Sequence, residues 1–193
     1  LKLNEAGLLA VDTIVHHVPK MIESSVPDEV MILEESPDIV AVFKPAPMPM
    51  HAGGRYYKNS LHYILEEKGY EGLRIVHRLD AVTSGLVVMA KNKEMARECT
   101  KAFEQSRVKK TYWARVHGSP NEKGEYLINA PIRRKKGFVF ECGDGLDGAL
   151  AAQTSCTLLR KDGLESLIQC RPITGRTHQI RLHLSYWGHP IYN

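Results

Sequence analysis

Apolar residues recur along this chain at two spacings, and each spacing predicts its own kind of element. Short runs rich in β-branched residues at 30–33 and 39–43 predict strands, with Glu34-Glu35-Ser36-Pro37-Asp38 as the turn between them. The series Lys44-Pro45-Ala46-Pro47-Met48-Pro49 predicts a loop, since each proline removes a backbone donor, and Gly53-Gly54 extends it. Ser60 is placed to cap a short helix with Leu61, Ile64 and Leu65 on one face. Further on the spacing turns helical. Asn92 caps a predicted helix over 93–106, where Met95, Cys99 and Phe103 repeat every four residues. Residues 110–117 predict a strand with Tyr112, Ala114 and Val116 on one face, and 118–152 predict short strands and a mobile loop near 141–150. Runs at 154–159 and 164–171 predict a hairpin across Lys161-Asp162-Gly163. A last short helix is predicted with Thr177 as cap, Ile180, Leu184 and Trp187 on its apolar face, and Gly188 ending it.

Strand runs outnumber helices and hairpins dominate, which predicts an α+β protein: a mixed, largely antiparallel sheet with flanking short helices. No internal repeat is visible. Residues 1–27, with the ambiguous stretch 11–15 and the prolines Pro19 and Pro27 after it, read as an N-terminal arm or the remnant of an accessory RNA-binding segment. Residues 28–193 then form the main domain.

Composition narrows the function classes. A chain of 193 residues is long enough to bury a core without staples. Its net charge of +4 permits polyanion binding without demanding it, but the cations cluster: Lys109-Lys110, Arg133-Arg134-Lys135-Lys136, and Arg171, Arg176, Arg181. Cys99, Cys142, Cys156 and Cys170 form no Cys-x-x-Cys pair, which argues against a zinc ribbon and for reduced thiols in an intracellular compartment. No apolar run is long enough for a membrane span.

Three segments carry candidate chemistry. In His77-Arg78-Leu79-Asp80-Ala81-Val82-Thr83-Ser84-Gly85, which follows the apolar pair Ile75-Val76 and precedes the β-run Leu86-Val87-Val88-Met89, the Asp is expected at the end of a strand before a Thr-Ser-Gly turn. Such an Asp is either a turn cap or a working group held by an arginine; the motif alone leaves both open. In Lys109-Lys110-Thr111-Tyr112, the tyrosine is either a core residue or a stacking platform for a nucleobase with the lysines on phosphates. In Pro172-Ile173-Thr174-Gly175-Arg176-Thr177-His178-Gln179-Ile180-Arg181-Leu182-His183, Arg181 lies one turn beyond His178, so both can face one site, and Arg176 precedes a helix N-terminus, where anions bind. A metal centre is not expected: His178 and His183 fall on different helix faces, with no carboxylate nearby to complete a ligand set. The tetrad from Arg133 to Lys136 reads as a solvated loop, a phosphate clamp or a nuclear-targeting patch.

These three segments, in this order and at these separations, resemble the RluA-type pseudouridine synthases. Lys44-Pro45 with Pro49 and His51, and Gly188-His189-Pro190-Ile191, resemble two further family segments, so the likeness covers roughly residues 30–193. Gly54-Arg55-Tyr56 with Asn59 is similar to the eukaryotic branch that acts on the tRNA anticodon stem-loop. The resemblance implies an isomerase that converts uridine in RNA to pseudouridine by base flipping, without metal or cofactor, as a monomer on tRNA or rRNA and away from membranes. It implies Asp80, Tyr112 and Arg181 as catalytic, and His77, Arg78, Lys109, Lys110, Arg176, His178 and Leu182 as substrate-binding. An RNA-binding or RNA-chaperone protein without catalysis is the alternative. A nucleosidase is disfavoured for want of a second placed carboxylate. The chain departs from the family at Ala149-Leu150-Ala151-Ala152-Gln153-Thr154, which lacks a basic residue, and at Asn193, where the family runs on; a C-terminal truncation is expected.

Overall fold

The structure, a computed structural model, describes residues 23–120 and 124–192. They divide into two compact units, the first ending at Ala96 and the second starting at Arg97. The stretch 11–15 lies outside the described residues.

The first unit is built on a four-stranded antiparallel sheet in the order β1-β2-β4-β3, with β1 Met31–Glu35, β2 Ile39–Lys44, β3 Arg74–Ile75 and β4 Gly85–Ala90. β2 is central because Val40, Ala41 and Val42 are all buried, so it has no polar face to show water. β4 alternates, burying Val87 and Met89 and exposing Leu86. Helix α1, Leu61–Glu67, buries Leu61 and Leu65. Ser60 does occupy its cap position, but the hydroxyl donates to the Tyr57 carbonyl (2.9 Å) instead of capping. The first helical N–H groups go to loop carbonyls: Leu61 to Pro49 (2.9 Å) and His62 to Met50 (3.1 Å). At the edge of the predicted arm, the Glu23 carboxylate accepts N–H bonds from Tyr57, Lys58 and Asn59 at 2.8, 3.0 and 2.8 Å, which hold it below the usual carboxylate range.

Helix α2, Lys93–Glu104, follows the predicted span, and Asn92 caps it: its Oδ1 accepts the Met95 N–H at 2.8 Å.

The second unit carries a four-stranded antiparallel sheet, order β5-β10-β9-β6, with β5 Tyr112–His117, β6 Glu125–Asn129, β9 Gln153–Asp162 and β10 Glu165–Pro172. The hairpin turn is Gly163-Leu164; Lys161 and Asp162, predicted in the turn, lie in β9, whose ladder continues to the Asp162–Glu165 pair. A separate hairpin pairs β7, Ile132–Lys136, with β8, Val139–Cys142, so the basic tetrad lies on a strand rather than a loop. The segment after it is tied back by Ile132 and Leu150, which exchange backbone bonds at 2.9 and 2.8 Å.

The core gathers Ala114, Val116, Ile128, Ala130, Cys156, Ile168, Cys170 and Leu184. All four cysteines are free thiols, and the cross-strand pair Cys156 and Cys170 meets sulfur to sulfur at 3.9 Å. Helix α3, Gln179–Tyr186, sets Leu184 into this core with Ile180 and Trp187 against it, the stripe the spacing predicts. Its N-terminus differs from expectation. His178, not Thr177, occupies the cap position, with φ 55° and ψ 22°. At the other end Gly188, at φ 89°, donates to Ser185 (3.0 Å), and His189 donates to Leu184 (2.8 Å); this paired closure needs the left-handed backbone that glycine adopts without strain.

Candidate active site

The expected site residues fall on both units. His77, Arg78 and Asp80 belong to the first; Lys109, Lys110, Tyr112, Arg176, His178, Arg181 and Leu182 belong to the second.

Asp80 does not end a strand. β3 stops at Ile75 and β4 starts at Gly85, so Asp80 sits half-buried in the middle of the connecting loop. That loop is held from several directions. The Asp80 carbonyl accepts the Thr83 N–H (3.0 Å), closing the turn that follows. β3 pairs only with Met89 and Ala90, and the next N–H along β4, that of Val88, is taken by His77 Nε2 at 2.9 Å. A nitrogen that accepts carries no proton, so the His77 ring is neutral with its hydrogen on Nδ1.

Lys44 is the third anchor. Its side chain is fully buried, and its Nζ donates to Met48 O (2.7 Å), Pro45 O (3.1 Å) and Ala81 O (3.2 Å). It ties the proline-rich loop to the residue next to Asp80, and Met48 N–H reinforces the tie on Ala81 O at 2.9 Å. Burial pushes the Lys44 pKa down to about 8, and the Asp80 carboxylate opposes that shift. In the sequence Lys44 stands as the start of a loop and part of a family-like segment, with no role of its own. The available signal was a lysine closing an otherwise apolar strand, a position where a charge needs a purpose.

In the second unit, α3 brings His178, Arg181 and Leu182 together along one cleft of about 370 Å³, walled by Phe138 and Phe140 of the β7–β8 hairpin and by Pro190 and Ile191. The Phe140 edge meets the His178 ring at 5.6 Å, 88° between planes. His178 holds a left-handed backbone that costs a non-glycine residue about 1 kcal/mol or more, and such strain gathers at functional sites.

Arg176 is exposed, and its Nε donates to Ala151 O (3.0 Å), which aims the guanidinium. Lys109 is exposed; Lys110 is half-buried, reaches Thr174 O (3.5 Å), and is lowered in pKa by burial. The Tyr112 ring is half-buried and packs against the core, so it is partly the core tyrosine of the plainer reading.

Beneath α3 lies a polar network that the sequence reading did not single out. Gln179, 4% exposed, makes four bonds. Its Oε1 accepts from the Thr174 hydroxyl (2.7 Å) and the Arg176 N–H (2.9 Å), while its Nε2 donates to Gln153 O and Thr154 Oγ1, both at 2.9 Å. Thr154 Oγ1 also meets His183 Nδ1 (2.9 Å), and His183 Nε2 meets Ala130 O (2.9 Å). A carbonyl only accepts, so His183 carries its proton on Nε2 and its Nδ1 accepts from Thr154. Burial lowers the His183 pKa, which keeps the ring in that neutral form. Gln179 and His183 stand four apart, beside the apolar stripe of α3, and that spacing was the readable signal.

Comparison with known proteins identifies the family. A family model described as RNA pseudouridylate synthase matches residues 38–186. The chain belongs to that family. It is 40% identical over 172 residues to "RNA pseudouridine synthase 7" of Oryza sativa subsp. japonica, covering 86% of this chain and 44% of that protein. It is 32% identical over 185 residues to "tRNA pseudouridine(32) synthase, mitochondrial" of Saccharomyces cerevisiae, covering 94% of this chain and 40% of that one. Among solved structures, "Human RNA Pseudouridylate Synthase Domain Containing 1" is similar with a TM-score of 0.74 and 27% identity, over 88% of this chain and 70% of that one. The chain thus spans less than half the length of these two curated relatives.

Proposed function

We propose that residues 28–193 form the catalytic domain of an enzyme that isomerises uridine in RNA to pseudouridine, with tRNA or rRNA as substrate. The observation that carries this is the family match over residues 38–186, which includes both the tethered Asp80 loop and α3. The relatives whose names specify tRNA positions favour tRNA.

The reaction breaks N1–C1′ and forms C5–C1′; the proton on C5 is lost and N1 gains one. The target base is stacked in RNA, so it must first be flipped out, which costs a few kcal/mol. Lys109, Lys110, Arg78 and Arg176 offset that cost by holding phosphates, and Tyr112 by stacking. Asp80 is the reactive carboxylate. By the family resemblance Arg181 is the arginine that serves such a carboxylate, since a guanidinium aims a carboxylate by paired charge-assisted hydrogen bonds. Asp80 then acts at C1′, either by covalent attack or by promoting a glycal-like intermediate. His178 and Leu182 line the nucleotide's path, and His77 holds the Asp80 loop.

The test follows tritium release from RNA carrying uridine tritiated at C5. Wild type releases tritium, and Asp80→Asn drops release to background while still binding RNA. Normal release by Asp80→Asn overturns the role of Asp80. RNA binding without release by wild type overturns the enzyme reading in favour of a binding protein.

A further inference from the structure

The β7–β8 hairpin has no part in the chemistry above, yet its composition is unusual for an idle strand pair. Its tip is the two-residue turn Gly137-Phe138 between the paired Lys136 and Val139; Gly137 takes φ 55°, which lets the turn close this tightly. Phe138 is 90% exposed, so its ring gains nothing from the fold. It is not an isolated surface phenylalanine, because it walls the same cleft as Phe140, His178 and Arg181.

The strand leading to it carries Arg133, Arg134, Lys135 and Lys136, and their charges are arranged unevenly. Glu141 takes Arg133 (2.7 Å) and Lys135 (3.2 Å). Arg134 pairs across the ladder with Phe140 instead and lies over its ring, 5.5 Å from the centroid. Among the described residues, no carboxylate forms an ion pair with Arg134 or Lys136. Cations interleaved with aromatic rings are the pattern that grips single-stranded nucleic acid. Protein interfaces, by contrast, are depleted in lysine.

We propose that the β7–β8 hairpin is an RNA clasp, in which Phe138 stacks on a nucleobase next to the target uridine while Arg134 and Lys136 hold the flanking phosphates. The clasp rests on RNA being the substrate. Phe138 is a positioning residue in this account. It fixes the strand on either side of the flipped nucleotide and touches no reacting atom.

The test measures binding of the full-length protein to a fluorescein-labelled RNA stem-loop with a uridine-containing loop, alongside tritium release from the same RNA tritiated at C5. Phe138→Ala should weaken Kd about 10-fold, within the ~5- to ~150-fold range of one lost stack, without changing the salt slope. Phe138→Trp should restore Kd to near wild type, an outcome that a role in folding alone does not give. Arg134→Gln with Lys136→Gln should lower the slope of log K against log salt by about 1.4 to 1.8, the value for two lost phosphate contacts.

Wild-type Kd in Phe138→Ala, with normal tritium release, overturns the clasp and leaves the isomerase reading standing. So does unchanged RNA binding with altered self-association in sedimentation, which makes the hairpin a contact between copies. Phe138-dependent RNA binding without tritium release from wild type supports the hairpin as an RNA contact, but overturns its place beside a target uridine along with the isomerase reading.

Discussion

Replacing Gln179 by leucine tests whether the buried network under α3 holds the candidate site together. The side chains are similar in volume, so the change removes polar atoms and leaves little cavity. Four hydrogen bonds disappear. Their partners fare differently. Gln153 O keeps the Ile173 N–H (2.9 Å), Thr174 Oγ1 keeps the Gln153 N–H (3.0 Å), and Thr154 keeps His183. The Arg176 N–H loses its recorded acceptor. Arg176 is exposed, so water offsets part of that loss, and each of the four bonds contributes up to the ~1 kcal/mol typical of one. The sum is a loss of about 2–3 kcal/mol, read as a fall in melting temperature of roughly 5–10 °C for a chain of this size. The assay is thermal unfolding by circular dichroism, paired with tritium release well below the melting point. Release should fall as well, because α3 carries His178, Arg181 and Leu182. A loss of stability under about 0.5 kcal/mol, small against the typical worth of even one bond, refutes the account of Gln179 as the hub.

Two further predictions concern pH. Lys44 titrates near 8 in the fold and near 10.5 when unfolded, so between these values the unfolded chain binds more protons and this group adds stability as pH rises. The unfolding free energy of wild type relative to Lys44→Met should therefore widen by about 1–3 kcal/mol between about pH 8 and about pH 10 in urea titrations; a constant difference refutes it. His183 has its folded pKa lowered by burial, so its contribution is present above about 6.5 and is lost as pH falls below that. In His183→Gln, whose amide can still reach Ala130 O, that part of the acid-side decline should vanish from the same titrations.

Much of the fold was legible because its signals are local. Asn92 caps α2 as the residue order suggests, since an Asn side chain reaches the N–H three residues on without help from elsewhere. The stripe Ile180, Leu184 and Trp187 meets the core because helix geometry alone puts those positions on one face. The failures are cases where a distant partner decided. Ser60 looks like a cap, but the carbonyls of Pro49 and Met50 had already taken the helix N–H groups. Thr177 also looks like a cap, but the Gln179 side chain accepts the Arg176 N–H and draws the chain into the turn that leaves His178 at the helix start. The hairpin turn moved to Gly163-Leu164 because the β9–β10 ladder runs on to its last pair.

For the candidate site, the order and types of residue in three short segments named the family, and the roles of Asp80, Tyr112 and Arg181 are those proposed above. Tertiary structure decided how those groups are held. A lysine at the end of a strand became the tether of the Asp80 loop because three carbonyls converge on its ammonium. A glutamine became the hub beneath α3 because β9, the Thr174 turn and the helix bring four partners within reach. Sequence position could mark both residues but not their roles, because a buried polar group is defined by partners far from it in sequence.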